Sequence, residues 1–219
     1  MHSSVQKLLH IEKLVKSKEL NPNILKPPKI IAVSKTFSLD KIMPLIEHGH
    51  CDYGENKVQE ALDKWSQIKL ERPELVLHLI GKLQTNKVKF ALKIFDFIHS
   101  VDSKKLAKKI FDEQLKQNKK VKIFIQVNLG NEVQKSGVLK NDLNELHLYC
   151  ISLKLNVVGL MCIPPVNSEP DPFFHELNEL NKNLNLKDLS IGMSSDYIKA
   201  VENHSTYLRV GSAIFGNRN

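Results

Sequence analysis

The sequence predicts an α/β fold of the (β/α)8 type, a TIM barrel, with an extra N-terminal helix. Three observations lead there. Short apolar runs and stretches of helical period alternate about eight times along the 219 residues. The segments joining them are short, as in βα units. Several runs are apolar on consecutive residues, the pattern of a parallel sheet covered on both faces. An open doubly wound sheet would also alternate, but the early G-x-G-x-x-G that commonly marks it is missing. The count favours the barrel. No linker, low-complexity tract or shift of composition divides the chain, so one domain over residues 1–219 is expected.

The elements follow in order. MHSSVQKLLHIEKLVKSKEL carries apolar residues at helical spacing and gives the leading helix. KIIAVS is the first strand, followed by a helical LDKIMPLIEHG with Pro44 expected in or near its first turn. CDYGEN then precedes KVQEALDKWSQI, LVLHLIG precedes LQTNKVKFALKIF, and DFIHSVD precedes SKKLAKKIFDEQLK. VKIFIQVNLG is a strong strand ended by Gly130. NVVGLMCI, LSIGM and TYLRVG complete the strands. DLNELHLYCISL, FFHELNELNKNL, SDYIKAVEN and SAIFG supply the remaining helices.

Composition narrows the function. The leading segment lacks the uninterrupted apolar core and small-residue cleavage site of a secretory signal. No apolar run approaches the roughly 18–20 residues that span a bilayer. A soluble, cytoplasmic protein without membrane partners is expected. Cys51, Cys150 and Cys162 are scattered with no C-x-x-C, which argues against a disulfide framework and a four-thiolate zinc site. His48, His50, Cys51 and Asp52 are close in sequence, but neighbours on a strand point to opposite faces, so no metal is expected. The net charge of +8 comes mostly from lysines, because Arg72, Arg209 and Arg218 are the only arginines. Those lysines stand beside acidic residues, as in KKLAKKIFDEQLKQNKK, which fits solvated helix faces better than a phosphate-tracking stripe. Nucleic acid is not the expected partner.

Active sites of this fold sit at the C-terminal ends of the strands. Lys35 after the first strand, Gly54, Glu55 and Asn56 after the second, Gly81 and the Gln84 to Lys87 segment after the third, then Asn128, Met161 and the IGMSSD and RVGSAIFG segments therefore share one location. Ser194, Ser195 and Asp196 open one helix, and Gly211 with Ser212 begins a short turn. Such loops commonly cradle a phosphate: glycine permits close approach, hydroxyls donate and a helix start offers N–H groups. The plainer alternative is that serine and aspartate are good N-caps. A lysine at an apolar rim has a depressed pKa and a nucleophilic amine. Its alternative is a carboxylate partner or a side chain that reaches solvent. A phosphate site facing a reactive lysine suggests pyridoxal 5′-phosphate (PLP), which needs an amine partner, a phosphate cradle and a partner for its ring nitrogen. Arg209, two residues before Gly211, shares the inward face and would leave that nitrogen largely unprotonated.

AVSKT, YGENKVQEALDKW, HLIGKLQTNKVK, HSVDS, GLMCIPP, LSIGMSSD and RVGSAIFG resemble the pyridoxal phosphate homeostasis protein family, relatives of the N-terminal barrel of alanine racemase. The likeness runs from about Ile30 to Gly216, in order and at matching spacing. It implies Lys35 as the Schiff-base lysine, Arg209 at the ring nitrogen, and Ser194, Gly211 and Ser212 at the phosphate. Asn56 and Met161 match family positions near the cofactor. QKSGV matches a Lys-Ser-Gly loop that puts Lys135 near the mouth. Departures are small: Tyr53 stands where phenylalanine is usual, and Lys82 where proline or histidine is commoner. In alanine racemases a tyrosine from the partner's C-terminal β-domain supplies the second acid/base. This chain ends at Asn219, so that domain is expected to be absent. The resemblance implies a monomeric, non-catalytic role in vitamin B6 homeostasis: holding PLP, limiting free aldehyde and passing PLP to apo-enzymes. The alternative is a small PLP enzyme, a racemase or lyase.

Overall fold

The computed structural model describes residues 1–18, 27–132 and 134–216. Eight parallel strands close into a barrel in sequence order. They are β1 (Lys29–Val33), β2 (Asp52–Glu55), β3 (Val76–Leu79), β4 (Phe97–Val101), β5 (Lys122–Gln126), β6 (Asn156–Met161), β7 (Asp188–Ser190) and β8 (Tyr207–Val210). β1 pairs with β8 through Ile31 and Arg209, which closes the ring. The helices between them are α2 (Leu39–Glu47), α3 (Val58–Glu71), α4 (Val88–Ile94), α5 (Lys104–Gln117), α6 (Leu143–Ser152), α7 (Asp171–Asn183) and α8 (Tyr197–Glu202). A short α9 (Ser212–Phe215) follows β8. The expected barrel and its leading helix are both present.

That leading helix, α1 (Ser3–Lys18), buries Val5, Leu8, Ile11 and Val15 at spacings of three and four, and it packs on α2, α8 and α9. Each such side chain contributes about 1.5–3 kcal/mol of apolar burial, enough to hold a helix that has no strand beneath it. The last two residues of the expected segment, Glu19 and Leu20, lie outside the described residues. Pro44 differs from expectation: it is the sixth residue of α2, in the second turn. It has no N–H to give to the carbonyl of Asp40, and the helix continues past it to Glu47. Apolar packing by Ile42, Leu45 and Ile46, all buried, offsets the missing bond.

Alternation along the strands divides the apolar side chains into two layers. Ala32, Leu208 and Val210 point outward into the main core between sheet and helices. Ile31, Phe97, Phe124, Met161 and Tyr207 point inward and fill the barrel. No helix among the described residues is long and apolar enough to cross a membrane.

Candidate functional site

At the C-terminal ends of the strands lies a cavity of about 640 Å³, a size suited to a small cofactor. Lys35, Asn56, Ser194, Arg209, Gly211 and Ser212 all line it. These six come from β1, β2, β7 and β8 or the loops just beyond, brought together only by closure of the barrel. Met161 is not among them: it is fully buried in the inner layer with Phe97 and Phe124. Ile163, two residues further along, reaches the cavity in its place.

Lys35 is half-buried and follows the buried Ser34. The turn that presents it is tied to α3 on both sides. Ser34 donates its hydroxyl proton to Glu55 Oε1 at 2.8 Å, and Lys64 Nζ donates to the Ser34 carbonyl at 3.0 Å. The N–H of Thr36 donates to Glu60 Oε1 at 2.6 Å. Lys64 joins the two carboxylates, at 2.9 Å from Glu55 and 3.1 Å from Glu60, and Trp65 Nε1 donates to Glu55 at 3.0 Å. Burial pushes the Glu60 carboxyl up, but the Thr36 N–H and Lys64 outweigh it and hold it below its ordinary value. Thr36 itself has φ 67°, a costly conformation for a β-branched residue. Glu55 is grouped with the mouth by its place at the end of the second strand, whereas Glu60, Lys64 and Trp65 do not stand out as site residues in the sequence.

Just beyond the second strand, Asn56 fits because residue 81 is glycine. A Cβ there would stand 2.4 Å from the Asn56 carbonyl oxygen. Across the mouth, the loops after β7 and β8 are joined by one hydroxyl. Ser194 Oγ accepts the N–H groups of Gly211 at 3.1 Å and Ala213 at 3.2 Å, at the start of α9. The chain reverses into the Ser194 loop through Gly192, at φ 88°, where a Cβ would meet that of Ala200 at 2.5 Å. Asp196 is the N-cap residue of α8, yet its carboxylate accepts the N–H of Met193 at 2.5 Å and so fixes the loop before the helix. The N-cap and anion-cradle readings thus separate: Asp196 closes its own loop, while Ser194 crosses to another helix.

Arg209 points inward from β8, almost fully buried. Its NH1 donates to Ser190 O at 2.6 Å and Ser190 Oγ at 2.8 Å, and its NH2 to Cys162 O at 2.9 Å. These acceptors account for three of the five N–H groups a guanidinium carries. Burial lowers its pKa from the ordinary arginine value, but a guanidinium keeps its proton at physiological pH. The neighbouring Cys162 thiol is pushed up to about 12 by burial, which leaves it an unreactive thiol. Lys135 pairs with Glu132 at 2.6 Å and donates to the Pro164 carbonyl at 3.1 Å, so it braces two loops beside the mouth. The His48–Asp52 cluster separates: His50 Nε2 lies 3.0 Å from the Asp52 carbonyl, whereas the Asp52 carboxylate turns to His78.

An amine, a set of anion donors and a fixed guanidinium around one cavity can hold a phosphorylated aldehyde by three separate handles. The fold is that of the alanine racemase N-terminal domain class, whose family model matches residues 18–219. A pyridoxal phosphate homeostasis protein from Aquifex aeolicus is 40% identical over 200 residues, covering 87% of each chain. Among solved structures, PipY of Synechococcus elongatus without PLP has a TM-score of 0.85 at 31% identity, covering 98% of this chain and 100% of that one. PipY with PLP bound has a TM-score of 0.78 at 32% identity, covering 94% and 100%. The chain belongs to the pyridoxal phosphate homeostasis protein family.

Proposed function

We propose that this protein binds PLP in the barrel-mouth cavity, holds it on Lys35 as a Schiff base, and serves PLP homeostasis by supplying the cofactor to apo-enzymes. The observation that carries this is the convergence of Lys35, Arg209 and the Ser194 and Gly211 loops on one cavity. The residues fit the group. Two backbone N–H groups already converge on the Ser194 hydroxyl, an arrangement suited to phosphate oxygens at the same rim. Solved PipY with PLP bound, 32% identical, supports the same cofactor here.

When bound, PLP supplies an aldehyde that condenses with a lysine amine and releases water. The chain's own residues do the rest. Ser194, Gly211 and Ser212 would hold the phosphate end, Asn56 would add a polar contact, and Arg209 would serve as the partner of the ring nitrogen with a proton it does not give up. A nitrogen left unprotonated makes a weak electron sink, which suits storage better than turnover. Lys35 and Arg209 are the ionisable side chains lining the cavity among the described residues. A racemase needs an acid/base on each face, and a guanidinium does not serve as one. The relatives' name, a homeostasis protein, supports a holding role as well.

The test is transfer. PLP-loaded protein mixed with an apo PLP-dependent enzyme is expected to restore that enzyme's activity, with Lys35→Ala protein as the control that does not. Racemisation or elimination of amino acids by the loaded protein at enzyme-like rates would overturn the holding role in favour of a small PLP enzyme.

A further inference from the structure

Below the cavity, five side chains from five strands form one continuous hydrogen-bonded chain through the barrel interior. Asp52, the first residue of β2 at the foot of the barrel, lies with Oδ1 3.0 Å from His78 Nε2. His78 Nδ1 lies 3.0 Å from His99 Nε2, and His99 Nδ1 lies 2.9 Å from Ser190 Oγ. Ser190 Oγ then accepts from Arg209 NH1 at 2.8 Å. His78, His99 and Ser190 are fully buried.

The two ends fix the direction of every bond. A carboxylate only accepts, so His78 carries its proton on Nε2 and, if neutral, accepts at Nδ1. His99 must then donate from Nε2 and accept at Nδ1, which commits the Ser190 hydroxyl proton to His99. Both lone pairs of Ser190 Oγ are left for a donor, and arginine is only a donor. Neutral rings also suit their surroundings. His78 faces Asp52, with Asp96 and Lys29 farther off, and burial outweighs the acids and lowers its pKa. His99 faces His78 and the Arg209 cation, and burial, with both of these adding to it, lowers its pKa as well. Because arginine cannot accept, the chain cannot deliver a proton to the mouth. It is a brace and not a wire.

We propose that Asp52, His78, His99 and Ser190 are positioning residues for Arg209, a one-way run of hydrogen bonds that fixes the guanidinium from the foot of the barrel. The link to cofactor rests on Arg209 being the partner of the PLP ring nitrogen. The brace itself does not.

Two measurements on the full chain keep the two apart. ¹⁵N-histidine NMR of the protein without PLP at pH 7 is expected to show His78 and His99 as neutral Nε2–H tautomers. PLP titration followed by absorbance is expected to give an affinity that falls on the order of tenfold in Ser190→Ala, the size of a lost hydrogen bond to a charged group. Asp52→Ala is expected to scramble the histidine tautomers and weaken PLP several-fold, on the same hydrogen-bond scale. Asp52→Asn, which keeps an acceptor oxygen, restores both. An imidazolium or an Nδ1–H tautomer in the native protein would overturn the brace. So would an Asp52→Ala protein with native tautomers and native PLP affinity. Failure of the native protein to take up PLP would sink the cofactor reading while the NMR spectra still decide the brace. If Asp52→Ala does not fold, the native spectra and Ser190→Ala decide it.

Discussion

Lys64 Nζ donates to the main-chain carbonyl of Ser34, one residue before Lys35, at 3.0 Å. With the Thr36 N–H held by Glu60, the residues on both sides of Lys35 are anchored to α3. The lysine is therefore presented by a turn that the helix holds rigid, and its backbone cannot drift when a ligand is absent. Preorganisation of this kind lowers the ordering cost of binding.

Lys64→Met is expected to leave the fully buried Glu55 carboxylate without its ammonium. Breaking a buried pair by removing one partner costs about 3–5 kcal/mol. Urea unfolding measures it directly, and an unchanged midpoint would show that the pair does not hold the turn.

Thr36→Asn should stabilise the protein by about 1 kcal/mol, because asparagine tolerates the left-handed region and the Thr36 side chain is exposed. Thermal melts of the two proteins side by side would show a higher midpoint for the variant. A lower one would mean the threonine side chain makes a contact that matters.

Ser194→Ala removes the acceptor for two N–H groups at the start of α9. A loss of about 1 kcal/mol of stability is expected, as for a lost helix cap. The selective effect is on phosphate: PLP binding should weaken on the order of tenfold while pyridoxal, which lacks the phosphate, changes little. Equal weakening of both ligands would contradict the cradle.

Acid should destabilise the fold in a defined window. His78 and His99 have folded pKa values below the ordinary 6.5, so the unfolded chain binds more protons once the pH drops under about 6.5. Stability contributed by the two neutral rings is full above that pH and falls as pH decreases, by up to about 1.4 kcal/mol per pH unit for each ring. Asp52, also held below its ordinary value by His78 and Lys29 against its burial, adds a further loss at lower pH. Urea midpoints between pH 7 and 5 measure the slope, and His99→Gln should make it shallower. A native slope no steeper than that of the variant would contradict buried neutral rings.

The barrel was legible because each strand is an apolar run and each helix a periodic one, and the mouth residues were legible because every strand end shares one location. Lys35, Ser194, Gly211 and Arg209 needed no contact information to be grouped. The supporting residues did. Lys64 sits at helical spacing among charged neighbours and looks solvated, whereas the fold turns it onto Glu55 and covers both. His78 and His99 interrupt LVLHLIG and DFIHSVD, and only barrel closure makes them neighbours. Met161 lies two residues short of Ile163, about 6–7 Å deeper along the strand, where the aromatic layer fills the barrel. Pro44 in the second turn of α2 reflects tertiary packing prevailing over a local preference.

The most direct measurement is borohydride reduction of PLP-treated protein followed by peptide mass mapping. The account predicts a phosphopyridoxyl group on the peptide containing Lys35, and no such adduct in Lys35→Ala. An adduct on another lysine with Lys35 unmodified would contradict it.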